Sequence, residues 1–127
     1  MCKLDHVKLT GTTASDGSLT VTDSTVRNGT LKRVEWIDGD LADGVGFALS
    51  VTGTPSGVDQ TLLTVTNANN DANYYPHEPA DDNAGADVTF DGTNEIYVKP
   101  VFWGNLKLVV SSGGDTKTGG CVVYYRH

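Results

Sequence analysis

The sequence predicts an all-β domain: an antiparallel β-sandwich of about eight strands, in a jelly-roll-like or Greek-key order. Three observations predict it. Short runs of alternating apolar and polar residues recur along the chain, with Gly, Asn, Asp, Ser or Pro between them. Much of the remaining composition is Thr, Ser, Asn and Gly, which suits strands and turns. No stretch of ~10 residues keeps the 3.6-residue apolar period of a helix.

Two alternating runs open the chain, "LDHVKLTG" (4–11) and "SLTVTD" (18–23), with the turn chemistry of "ASDG" between them. "GTLKRVEWID" (29–38) puts Leu31 on one parity and Val34 and Trp36 on the other, so a bulge or face switch is expected between them. "GDLADG" then breaks the chain. "VGFALSVTG" (45–53) carries Val45, Phe47, Leu49 and Val51 at strict period two, the mark of a half-buried strand. After the turn "TPSGVD", "QTLLTVTNAN" (60–69) places Leu63 and Val65 on one face and Leu62 and Thr64 on the other.

Residues 70–95, "NDANYYPHEPADDNAGADVTFDGTNE", read mostly as loop with a short strand at "ADVTFDG". "EIYVKPVFWG" (95–104) reads as a strand in which Pro100 requires an edge position or a bulge. "NLKLVVSSGG" (105–114) and "GGCVVYYRH" (119–127) read as the last two strands, with "SSGGDTKTGG" as a flexible hairpin tip. No linker, repeat or low-complexity tract interrupts the chain, so residues 1–127 form one domain.

The net charge of −7 speaks against nucleic-acid binding, which needs a basic footprint, and against anionic membranes. No apolar run approaches the ~20 residues of a spanning helix. The opening "MCKLDHVKLT" lacks the apolar segment of a secretory signal, so export is not expected. Two free thiols, Cys2 and Cys121, are expected in a reducing compartment, with a disulfide between them as the alternative.

Residues 70–95 hold seven carboxylates around His77 and no Lys or Arg. Asn67, Asn69, Asp71, Asn73 and Glu78 fall at EF-hand offsets, but Ala72 stands where the sharp turn needs Gly. His6, His77 and His127 lack HxH or HxxxH spacing. Neither a GxSxG elbow nor a Walker-type loop occurs. No metal, cofactor or catalytic residue is therefore expected, and the chain does not read as an enzyme. Adjacent aromatics on a strand point to opposite faces, so one of each pair among Tyr74–Tyr75, Phe102–Trp103 and Tyr124–Tyr125 should face outward.

From "YYPHEP" to "CVVYY" the chain resembles a family of small phage proteins encoded beside the major capsid protein. The resemblance is carried by Tyr75–Pro76, Asp82, Gly85, Thr89–Phe90–Asp91–Gly92–Thr93, and Gly104–Asn105–Leu106 onward. His77 stands where that pattern usually has a basic residue. The resemblance implies a virion structural protein, foremost a capsid decoration (cement) protein: a small β domain, trimeric, bound to the major capsid protein on the outer head surface after assembly in the host cytoplasm. A head–tail connector or tail component, and a carbohydrate-binding β-sandwich, are the alternatives. The expected protein-interface residues are Tyr74, Tyr75, Pro76, His77 and Tyr125.

Overall fold

The computed structural model describes residues 3–79 and 97–127. Ten strands follow one another: β1 (Leu4–Thr12), β2 (Leu19–Thr22), β3 (Arg27–Ile37), β4 (Gly46–Thr52), β5 (Gln60–Val65), β6 (Ala72–Tyr74), β7 (Glu78–Pro79), β8 (Tyr97–Val98), β9 (Val101–Ser111) and β10 (Thr118–Arg126). Eight of them build one antiparallel sheet, and β7 and β8 form a separate two-stranded pair. No helix occurs among the described residues.

The large sheet has two halves, β1-β10-β3-β6 and β2-β9-β4-β5. Within the eight strands the pairing is nested: first with last, second with seventh, third with sixth, fourth with fifth. That is the strand order of a jelly roll. The halves are continuous where Arg27–Thr30 of β3 pair with Val101–Gly104 of β9. Gly104 sits at this corner with φ 145°, and a Cβ there would lie 2.5 Å from Thr52 O and 2.6 Å from Val51 Cγ1. Only glycine lets β9 cross so close beneath β4.

Alternation decides which faces turn inward. In β4, Phe47, Leu49 and Val51 are buried and the residues between them are not. In β9, Phe102, Leu106, Leu108 and Val110 are buried. These side chains share one core with Val7, Leu9, Leu31, Val34, Trp36, Cys121, Val123 and Tyr125 from the other half. Trp36 of β3 stacks on Phe47 of β4 with ring centroids 4.2 Å apart and planes 8° apart. Tyr74 of β6 closes the group edge-on to Phe47 at 5.9 Å. The buried indole Nε1–H donates to Ala68 O at 2.9 Å, so the ring carries no unsatisfied donor.

The face switch expected in β3 is a bulge. Tyr124 and Tyr125 of β10 face Arg33 and Leu31, leaving Lys32 unopposed, and Leu31, Val34 and Trp36 all turn inward. Four expectations need correction. Leu62 does not lie on the face opposite Leu63, because a bulge between Leu49 and Ser50 of β4 and the facing β5 lets both pack against the core. The described part of the strand expected at 95–104 is not continuous: pairing stops at Lys99–Pro100, and β9 then runs unbroken from Val101 through residues expected to begin a new strand. The segment 112–117 is not a hairpin tip, since β9 and β10 lie in different halves and it carries the chain across. The loop from residue 70 contains β6, paired to β3. The strand expected at 86–92 lies outside the described residues.

Two substitutions test this account by chemical denaturation. Trp36→Ala should cost about 3–5 kcal/mol, the range for a large buried aromatic. Gly104→Ala should cost about 1–3 kcal/mol through backbone strain alone, and more if the contact with Val51 and Thr52 cannot relax.

Candidate protein-interaction surface

Nested pairing sorts the connections to two ends of the roll. One end collects residues 13–18, 38–45, 66–71 and 112–117. Hydrogen bonds tie these loops to one another. Thr13 N donates to Lys117 O at 2.7 Å, Gly113 N to Gly17 O at 2.9 Å, and Ala42 N to Gly113 O at 2.9 Å. Asp40 Oδ1 accepts from Thr118 N at 2.6 Å, and Asp71 Oδ1 from Asp38 N at 2.8 Å. This end carries Asp16, Asp38, Asp40, Asp43, Asp71 and Asp115, with Lys117 as its basic residue.

Asp38 feels this crowding. Its Oδ1 is buried without a hydrogen-bond partner among the described residues. Burial first, then the charges of Asp71, Asp43 and Asp40, raises its carboxyl above the ordinary value. The described residues contain no group of three or more His, Cys, Asp or Glu set as metal ligands.

The opposite end gathers the starts of β1, β3, β5 and β9 and the end of β10. It is apolar. Nine large hydrophobic side chains are exposed among the described residues, and eight stand at this end; only Val109 lies elsewhere. Leu4, Val26 and Val58 come from β1 and two turns. Tyr97 and Val98 form β8, Tyr75 lies between β6 and β7, and Val101 and Trp103 project from the start of β9. Register places Leu4, Arg126, Thr30 and Val101 in one row across four strands. Gln60 Nε2 donates to Val101 O at 3.2 Å, which ties the start of β5 to the same place. Among the described residues this end also carries Lys3, Arg27, Lys99 and Arg126 and Asp5, Asp23, Asp59 and Glu78.

Four of the five expected interface residues come together here. Leu62, Leu63 and Thr64 of β5 and Tyr74, Tyr75, Pro76 and His77 line one cleft of about 370 Å³ between two edge strands. Tyr75 is 57% exposed, with Lys99 Nζ 5.4 Å from its ring centroid. The His77 ring packs edge-on to Tyr97 at 4.7 Å, and its Nδ1 lies 3.1 Å from Tyr75 O. Tyr74 is only partly exposed and spends its ring on the core.

Tyr125 does not belong to that cleft. It is 3% exposed, edge-on to Phe102 at 5.5 Å, with its hydroxyl accepting from Arg27 Nη1 at 3.1 Å. Regular alternation in β10 puts it on the inward face with Cys121 and Val123 and leaves Tyr124 on the other face, with the Arg33 guanidinium 4.1 Å from its ring centroid. Hydrogen bonds from Arg27 to Asp23 and Tyr125 raise its already high pKa, so it stays charged. Cys121 is free and fully buried, its thiol pushed up to about 12 by burial; Cys2 lies outside the described residues.

Sequence reasoning missed Tyr97, Val98 and Val101, and did not choose Trp103 from its pair. A signal was present: alternation in β9 makes Phe102 and Trp103 face opposite ways, and the buried partner is fixed by Leu106, Leu108 and Val110 on the parity of Phe102. No protein-family model, curated protein or solved structure matches this chain.

The raised pKa of Asp38 has a defined sign. The folded state holds that proton more tightly than the unfolded chain, so ionising Asp38 lowers stability as pH rises from the unfolded value, about 3.9, through the folded one. Asp38→Asn should therefore raise Tm at pH 7, and calorimetry should find the gain gone once wild-type Asp38 is itself protonated.

Proposed function

We propose that this chain is a structural protein of a phage virion, a decoration protein that binds the major capsid protein on the assembled head. The observation that carries the reading is the gathering of eight of the nine exposed large hydrophobic side chains among the described residues at one end of the fold. Exposed apolar side chains gathered at one end are the kind of surface that marks a protein contact. The surface is rich in aromatic rings, Tyr75, Tyr97 and Trp103, the type that anchors interfaces. Docked through that end, the protein binds only the assembled shell and stabilises it by mass action. The resemblance of about residues 60–125 to small phage proteins encoded beside the major capsid protein supports the same reading.

Jelly rolls serve viral capsids and lectins alike, so the fold by itself does not choose between these roles. One observation favours a second reading, carbohydrate binding: the rings of Tyr75 and Trp103, 57% and 45% exposed, could stack on sugar faces. A glycan array run with and without chelator tests it.

The proposed function predicts that purified protein co-sediments with capsids of the phage that encodes it and raises their thermal resistance. A Val101→Asp/Trp103→Asp variant should lose co-sedimentation while keeping its own Tm. Failure of the wild-type protein to sediment with capsids would remove the assignment.

A further inference from the structure

We infer that Asp38–Gly39 is a site of spontaneous backbone modification, where the folded chain converts Asp38 to isoaspartate through a succinimide. The inference concerns the acidic end and does not rest on the docking assignment.

The chemistry balances with water alone. Gly39 N attacks Cγ of the neutral Asp38 carboxyl. A C–N bond forms, and the hydroxyl leaves as water with the amide proton. One water then opens the five-membered imide. Opening at Cγ restores Asp38. Opening at the former backbone carbonyl leaves isoaspartate, with the side-chain methylene in the main chain. An ionised carboxylate is a poor electrophile, and a hydrogen-bonded N–H is a poor nucleophile, so these two groups rank the candidate sites.

The sequence holds four Asp–Gly pairs, of which Asp91–Gly92 lies outside the described residues. At Asp16–Gly17 both groups are engaged. The Asp16 Oδ1 accepts from Ser18 Oγ at 2.6 Å and Ser18 N at 3.1 Å, which holds its carboxyl below the ordinary value. Gly17 N donates to Ala14 O at 3.0 Å. At Asp43–Gly44 the nitrogen is engaged, since Gly44 N donates to Asn69 Oδ1 at 2.7 Å. Asn28–Gly29 lies in the β3–β9 ladder, opposite Trp103 and Phe102, and is held extended.

Asp38–Gly39 differs from all of these. Asp38 Oδ1 is buried without a partner, and Gly39 N donates no hydrogen bond among the described residues. Burial and the charges of Asp71, Asp43 and Asp40 keep the carboxyl neutral to higher pH than at an ordinary aspartate. The other charged groups at this end, among the described residues, are Asp16, Asp115 and Lys117. Ring closure breaks one turn bond, from Leu41 N to Asp38 O at 3.0 Å. The fold also requires the glycine: Gly39 holds φ 57°, and a Cβ there would collide with Thr118 O. Isoaspartate at position 38 lengthens the main chain between Asp38 N, bonded to Asp71, and Asp40, bonded to Thr118. The change therefore loosens the ties that cross-link the acidic end.

Peptide mapping of folded protein aged at about pH 5 tests the inference. Electron-transfer fragmentation locates isoaspartate, and the succinimide shows as loss of one water. Isoaspartate should accumulate several-fold faster at residue 38 than at 16 or 43. In denaturant that preference should vanish, because the burial and hydrogen bonds that create it are gone. Asp38→Glu should abolish the signal there, since its imide would be six-membered. Asp38→Asn should form the same succinimide with loss of ammonia, at a rate that does not fall as pH rises, whereas the wild-type rate does. Circular dichroism confirms that both variants fold, and the wild-type chain alone decides if they do not. Isoaspartate absent from residue 38, or spread evenly over 16, 38 and 43 in the folded protein, overturns the inference. So does a preference for residue 38 that persists in denaturant.

Discussion

The fold depends on Trp36 lying flat on Phe47. Those rings come from different halves of the sheet, and their 4.2 Å stack joins the halves at the centre of the core. An indole is large enough to fill that space only if its N–H finds an acceptor, and Ala68 O supplies one from the β5–β6 connection. The stack, the indole hydrogen bond and the edge-on Tyr74 therefore bring β3, β4, β6 and the chain after β5 to one point. The corner at Gly104 does the complementary work at the rim, letting β9 leave β3 and run beneath β4.

Once the halves are joined in nested order, the surface is sorted without further instruction. Connections alternate between the two ends, so residues far apart in sequence collect by the parity of the turn they occupy. Asp16, Asp40, Asp71 and Asp115 come from four separate loops and share one end. Leu4 and Val101, at the starts of two strands, and Val26 and Val58, from two turns, share the opposite end. The acidic loops are cross-linked by backbone hydrogen bonds and hold their own shape. The apolar end has no equivalent cover among the described residues, and it is the part of the surface with the most free energy to gain from contact.

Much of this was legible beforehand. Strict alternation at Val45, Phe47, Leu49 and Val51 marks a half-buried strand wherever it occurs, and the parity change between Leu31 and Val34 announced the bulge at Lys32. What the chain does not display locally is which strand neighbours which. The segment after β9 looks like a hairpin because Gly-rich turns look alike whether they reverse a strand or carry it to another sheet half. The inward turn of Tyr125 was legible, since it keeps the parity of Cys121 and Val123 along β10. The apolar end was not assembled beforehand because Leu4, Val26 and Val58 lie far in sequence from Tyr75 and from Tyr97, Val98, Val101 and Trp103, and only the strand order brings them to one end.

The central claim is that the apolar end is the contact surface and the acidic end is not. Amide hydrogen exchange on the chain free and bound to capsids tests it most directly. The account predicts new protection across residues 97–103 and 25–30, with the loops at 38–45 and 112–117 unchanged. Protection confined to those acidic loops, with none at 97–103, would contradict it.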